Sequence, residues 1–199
     1  MVRVLPFIDL MRAEVTYGQY LDLLATGRPS GDLRRALEII RFKTAKYTVE
    51  RPLHVGAALG GGGESVLEAL SAYALPVGEA FQLRDDLLGV FGDPQSPGKP
   101  SMDDLREGKH TALMALALGR SGATGSHTLR ELLDGPEMDE DRADKIRRIL
   151  VDCGARDGVE EMIKEWLAKA TAVLDQDPFP GQATAMLREL ALKAAMRTA

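Results

Sequence analysis

Gln82, Asp85, Asp86 and Gly89 stand at i, i+3, i+4 and i+7 of the segment Phe81-Gln-Leu-Arg-Asp-Asp-Leu-Leu-Gly-Val-Phe-Gly-Asp93. In a helix these four positions share one face. Adjacent aspartates in an apolar helical run are locally unfavourable, because Asp is a poor helix-interior residue and like charges side by side repel. Leu83, Leu87, Leu88, Val90 and Phe91 surround the pair and predict a largely buried helix. The plain reading is a solvated or salt-bridged face. The chemical reading is a Mg²⁺ site, since that ion keeps several waters and binds phosphate oxygens through one or two carboxylates. Lys99 and Lys109 follow soon after the carboxylates, and Lys43-Thr44 adds a cation and a hydroxyl earlier in the chain. Taken singly, each lysine reads as a surface charge. Combined with Gln82, Asp85 and Asp86 they suit a metal-complexed diphosphate, the metal bridging the carboxylates and the ammonium groups neutralising the remaining anionic oxygens.

The elements that must position these groups all read as helices. Apolar residues recur near the helical period at Met11, Val15, Leu21 and Leu24, predicting a helix from about Phe7 to Ala25 that Gly27-Arg28-Pro29 ends. Asp32 is placed to N-cap a second helix running toward Leu59, with Lys43-Thr44 at its middle and Pro52 expected to kink or divide it. Gly60 to Gly63 form a break, and a third helix runs from Glu64 to about Val90 through Pro76. Gly92 to Pro100 read as a loop by their Gly and Pro content. Further helices are predicted over Asp103–Leu118, Thr128–Leu133, Asp139–Val151, Val159–Asp175 and Gln182–Met196. No stretch alternates with a strand period, no repeat is evident and no linker divides the chain, so a single all-α domain over residues 1–199 is expected.

Composition narrows the function classes. The 199 residues are 45% hydrophobic and 28% charged, with only 5% aromatic, as suits packed helices. A net charge of -5 and the lack of a basic run give nucleic acid and anionic membrane no electrostatic support as partners, and no nucleic acid is expected. No apolar run reaches the length of a membrane span. Cys153 is the only cysteine, which rules out an intramolecular disulfide and a paired-cysteine zinc site and fits a cytoplasmic protein. His54 and His110 lack ligand-spaced partners and read as core or surface residues, Trp166 as core, and Cys153 as an inert buried thiol.

Four motifs in order carry a family resemblance. Gly18-Gln19-Tyr20-Leu21-Asp22, Lys43-Thr44-Ala45-Lys46-Tyr47, Phe81 to Asp93 and Gly98-Lys-Pro-Ser-Met-Asp-Asp-Leu-Arg-Glu-Gly-Lys-His-Thr111 resemble the second aspartate-rich half of the trans-isoprenyl diphosphate synthases. The resemblance implies an all-α bundle of the isoprenoid synthase type, lacking its N-terminal helices. It implies a homodimer, Mg²⁺ as cofactor, and prenyl transfer from an allylic prenyl diphosphate to isopentenyl diphosphate. By the same resemblance, Asp85 and Asp86 coordinate Mg²⁺ on the allylic diphosphate and Gln82 hydrogen-bonds beside it. Lys43, Lys99 and Lys109 contact diphosphate oxygens, Thr44 lies near the reacting carbons, and Gln19 and Asp22 line the cavity. These groups are expected to converge between the first three helices.

Two departures from the family pattern stand out. Gly89 occupies the position of a common third aspartate, as in many bacterial members. The family's first aspartate-rich motif and its basic isopentenyl diphosphate pocket have no counterpart in these residues and are expected upstream of Met1, where an in-frame Asp-Asp-x-x-Asp would favour the enzyme. The competing reading is a non-catalytic helical subunit that modulates a complete synthase. A terpene cyclase is disfavoured, because its second magnesium motif differs from Gln82-x-x-Asp85-Asp86 followed by Gly98-Lys99.

Overall fold

The computed structural model describes residues 2–92, 103–135, 138–176 and 178–195, and every regular element among them is helical. After a short 3₁₀ turn at Val2–Val4 come α1 (Leu5–Ala25) and α2 (Leu33–Ile40), whose first turn is capped by Asp32 Oδ1 accepting from Arg35 N at 3.2 Å. The helical path then continues as a wide-turn π segment (Arg41–Glu50) into α3 (Arg51–Leu59). The helix type changes at Pro52, which stands in the first turn of α3. In an α-helix the Pro52 ring meets the carbonyl four residues earlier and offers no N–H. The chain meets that conflict by widening its turns, and Arg51 N–H donates to the Lys46 carbonyl five residues back. A ten-residue π segment is unusual, since such turns mostly appear singly and often at functional sites.

After the glycine break come α4 (Glu64–Phe91), which continues without interruption through Pro76, and α5 (Asp103–Arg106). Then follow α6 (Ala112–Arg120), α7 (Gly122–Asp134), α8 (Glu140–Asp152), α9 (Ala155–Leu174) and α10 (Gly181–Ala195). The single helix expected over Asp103–Leu118 is corrected to two. Gly108 turns at φ +58°, a left-handed conformation that ends α5, and Thr111 Oγ1 accepts from Met114 N at 3.2 Å to start α6. Helical period alone does not register an interruption of so few residues.

The chain forms two compact units. The first comprises Met1–Tyr20, Glu38–Gln82 and Met162–Arg197. Its apolar core joins Leu70, Tyr73, Ala74 and Val77 of α4 to Ala170 and Leu174 of α9 and Leu187 and Ala191 of α10. Tyr73 is fully buried, and its hydroxyl donates to the Leu187 carbonyl at 2.6 Å, which settles the one polar atom it brings inside. The second unit comprises Leu21–Leu37, Leu83–Glu161 and Thr198–Ala199. Leu83, Leu105, Leu113, Leu129, Ile146, Leu150 and Val159 are buried there, and α6 packs on α7 and α8.

Candidate active site

In the first unit, the π segment carries Lys43 and Thr44. Thr44 is buried, and its hydroxyl donates to Gln82 Oε1 on α4 at 2.7 Å. Two of the residues expected to share a site therefore touch across 38 residues of sequence. Lys43 is half-buried beside them, and Gln19 is exposed on α1.

A charge cluster ties this segment to α1. Glu14 accepts from Arg51 Nε at 2.6 Å and from Arg51 Nη2 and Lys46 Nζ, each at 2.7 Å. Burial works against the charge of Glu14, but the hydrogen bonds from Arg51 and Lys46 outweigh it and hold its carboxyl below the ordinary range. Arg51 Nη1 lies 3.0 Å from His54 Nδ1. A guanidinium only donates, so Nδ1 is the acceptor and the neutral ring carries its proton on Nε2, facing the Leu67 carbonyl at 3.1 Å and Ser71 Oγ at 3.0 Å. His54 and His110 are both buried polar residues, in accord with a structural role.

In the second unit, Asp85 is exposed on α4 while Asp86 is 6% exposed. Their helix is held by a forked pair from Arg84 to Glu160 of α9, both bonds 2.7 Å, and by Arg147 of α8, whose Nε donates to the Val90 carbonyl at 2.8 Å. Asp104 of α5 enters beside Gly89: a β-carbon at Gly89 would stand 2.6 Å from Asp104 Oδ2. Lys109 is ion-paired with Asp104 and lies 3.4 Å from Glu107. Burial works against the ammonium, and the Asp104 hydrogen bond outweighs it, so Lys109 stays charged.

The turn bearing these groups is tied to the turn after α1. Gly27 N donates to the Gly108 carbonyl at 3.2 Å. His110 Nδ1 accepts from Ser30 N at 3.3 Å, and its Nε2 faces the Asp32 carbonyl at 3.2 Å. Asp22 is half-buried in the last turns of α1, its carbonyl accepting from Thr26 N and Oγ1, each at 2.9 Å. Lys99 lies outside the described residues.

Asp104 lies in the Gly98 to Thr111 motif, but its spacing did not single it out as a candidate. A further signal in the sequence was Gly89, a residue with no side chain on the acidic face, which leaves space for a carboxylate from elsewhere. Among the described residues, no three His, Cys, Asp or Glu side chains come close enough to hold an ion by themselves. Asp85 and Asp86 offer hard oxygens, one of them accessible, which fits a Mg²⁺ ion that completes its shell with water and phosphate.

The model of the polyprenyl synthetase family matches residues 2–150 of the 199. The chain is 34% identical over 167 residues to a geranylfarnesyl diphosphate synthase of Aeropyrum pernix, covering 83% of this chain and 50% of that one. It is 35% identical over 143 residues to a (2E,6E)-farnesyl diphosphate synthase of Mycobacterium bovis, covering 71% and 40%. Among solved structures it resembles a Corynebacterium glutamicum geranylgeranyl pyrophosphate synthase complexed with isoprenyl diphosphate and magnesium. There the TM-score is 0.91 at 39% identity, over 98% of this chain and 56% of that one. A Caulobacter crescentus polyprenyl synthase complexed with calcium and isoprenyl diphosphate gives 0.85 at 31% identity, over 100% and 60%. The chain thus spans about half the length of the curated relatives it matches. With the helical fold, the four ordered motifs and the family model in agreement, the chain belongs to the polyprenyl synthetase family.

Proposed function

We propose that this chain carries the allylic-diphosphate part of a prenyltransferase that condenses an allylic prenyl diphosphate with isopentenyl diphosphate. Asp85 and Asp86 would hold Mg²⁺, and Asp104, placed by Gly89 and Lys109, would add a third carboxylate near it. Lys43, Lys99 and Lys109 meet diphosphate oxygens, Gln82 keeps Thr44 turned toward the substrate, and Gln19 and Asp22 line the cavity. Bound there, Mg²⁺ supplies Lewis-acid stabilisation of the departing diphosphate. The protein's own part is to position the anion through its lysines and to keep water from the reacting carbons. The protein works in the cytoplasm, in keeping with its lone cysteine, and as a homodimer. In support of the dimer, Leu10, Tyr17 and Leu24 recur every seven residues along α1 with Tyr20 beside them, and all four are at least 42% exposed.

The observation that carries the reading is the carboxylate of Asp104 entering the space left by Gly89 on the helix that bears Asp85 and Asp86. Calorimetry of pyrophosphate binding to the 199-residue chain tests it. Binding is expected to be weak without magnesium and strengthened by it, and Asp85→Ala should remove about tenfold or more of that gain. Equal magnesium-dependent binding by wild type and Asp85→Ala would sink the assignment.

A further inference from the structure

The π segment bearing Lys43 and Thr44 is gripped from two sides at positions where the gripping helix has no side chain. On α1, a β-carbon at Gly18 would lie 2.7 Å from the Phe42 carbonyl carbon and 2.8 Å from Lys43 Cα, and closer still to Lys43 N. On α4, a β-carbon at Gly78 would lie 2.5 Å from Ala45 Cα, 2.8 Å from Ala45 Cβ and 3.2 Å from the Ala45 carbonyl oxygen. Nearly all of these neighbours are backbone atoms, so no rotamer change can relieve the overlap and a whole helix has to move.

Each glycine has a polar partner one turn away on its own helix. Glu14, four residues before Gly18, binds Lys46 and Arg51. Gln82, four residues after Gly78, binds Thr44. Tyr17, next to Gly18, stacks edge-on against Phe42 with ring centroids 4.9 Å apart. One face of α1 and one face of α4 therefore hold the segment at successive residues from Phe42 to Lys46.

We infer that Gly18 and Gly78 are positioning residues whose missing β-carbons seat the π segment between α1 and α4 and thereby aim Lys43 and Thr44. A helix with five-residue hydrogen bonds is easily shifted to the ordinary register, which would rotate Lys43 and Thr44 away from the face they now present. Backbone-to-backbone contact on both sides blocks that rotation. The inference rests on the assignment of Lys43 and Thr44 to the diphosphate substrate.

The test compares Gly18→Ala, Gly78→Ala, Lys43→Ala and Gly56→Ala in the 199-residue chain. Gly56 lies on α3 with open space around it and serves as the control. Two readouts are taken: magnesium-dependent pyrophosphate affinity of the folded protein, and amide hydrogen exchange across Arg41–Glu50. Both clamp variants should lose about tenfold or more in affinity, the loss expected when one charge-assisted hydrogen bond is misplaced. They should also exchange faster within Arg41–Glu50 while the amides of α9 and α10 keep their protection. Gly56→Ala should change neither.

If Lys43→Ala weakens binding while the clamp variants lose only thermal stability, the glycines are merely structural and the inference is overturned. If Lys43→Ala binds like wild type, the diphosphate assignment fails instead. Should Gly78→Ala not fold, Gly18→Ala decides the matter. Should neither fold, wild-type exchange decides it: fast exchange at Lys43 to Ala45 relative to the rest of the segment overturns the clamp.

Discussion

Gly89 illustrates how one atom group can set the chemistry of a face. The absence of a side chain at Gly89 lets Asp104 bring its carboxylate up to α4 from α5. Lys109, pairing with Asp104, fixes where that carboxylate points. Gly89→Ala should gain slightly in helix propensity yet push Asp104 aside. The expected result is an intact fold with magnesium-dependent pyrophosphate affinity lowered about tenfold, read by calorimetry beside wild type. Unchanged affinity in a folded Gly89→Ala protein would remove Asp104 from the metal site.

At the scale of elements, the cluster of Glu14, Lys46, Glu50, Arg51 and His54 joins α1 to the π segment and α3, and His54 reaches α4 through Ser71 and the Leu67 carbonyl. Burial lowers the His54 pKa from its ordinary 6.5, and the neighbouring Arg51 adds to the lowering. The unfolded chain therefore takes up a proton near that value that the folded chain refuses. This contribution to stability is complete above pH 6.5 and declines as the pH falls through it toward the lowered folded pKa. His110, likewise lowered by burial, acts in the same sense. Glu14, lowered from 4.5, adds a loss at still lower pH. Glu79, raised by burial, acts in the opposite sense. His54→Gln keeps the other groups, so the difference isolates one residue. Between pH 7 and pH 5.5 the denaturant midpoint should fall less in His54→Gln than in wild type. Parallel curves for the two proteins would show that His54 is not the acid-sensitive member.

For the molecule as a whole, the apolar stripe of Leu10, Tyr17, Tyr20 and Leu24 belongs to a surface that a partner copy is proposed to cover. Light scattering at micromolar concentration should report a dimer, and Leu10→Glu with Leu24→Glu should shift it toward monomer with helicity retained. A wild-type monomer across that range would contradict the proposal. A second expectation concerns turnover. These residues hold one aspartate-rich motif, whereas the proposed reaction is expected to draw on two to stabilise the departing diphosphate. Loss of half of that metal charge should cost several kcal/mol at the transition state, roughly 10³-fold or more in rate. Assays with labelled isopentenyl diphosphate and several allylic substrates should therefore show the 199-residue chain far slower than a full-length relative. Comparable rates would show that the second motif suffices.

Helix type and order were legible in the sequence because helical period, caps and breakers act over a few neighbouring residues. Asp32 and Asp139 cap the helices that follow them, Gly60 to Gly63 separate α3 from α4, and Gln82, Asp85 and Asp86 lie along one face of α4 by spacing alone. The family motifs were legible for the same reason, being contiguous runs. Tertiary structure decided the rest. The approach of Gly18 and Gly78 to Lys43 and Ala45 and the entry of Asp104 at Gly89 each depend on partners from another helix or a later segment. Thr44 finds Gln82 across 38 residues, and Arg51 finds Glu14 across 37. No local period encodes such meetings. They follow from which helix faces can come together without leaving a buried charge unpaired or two backbones overlapping.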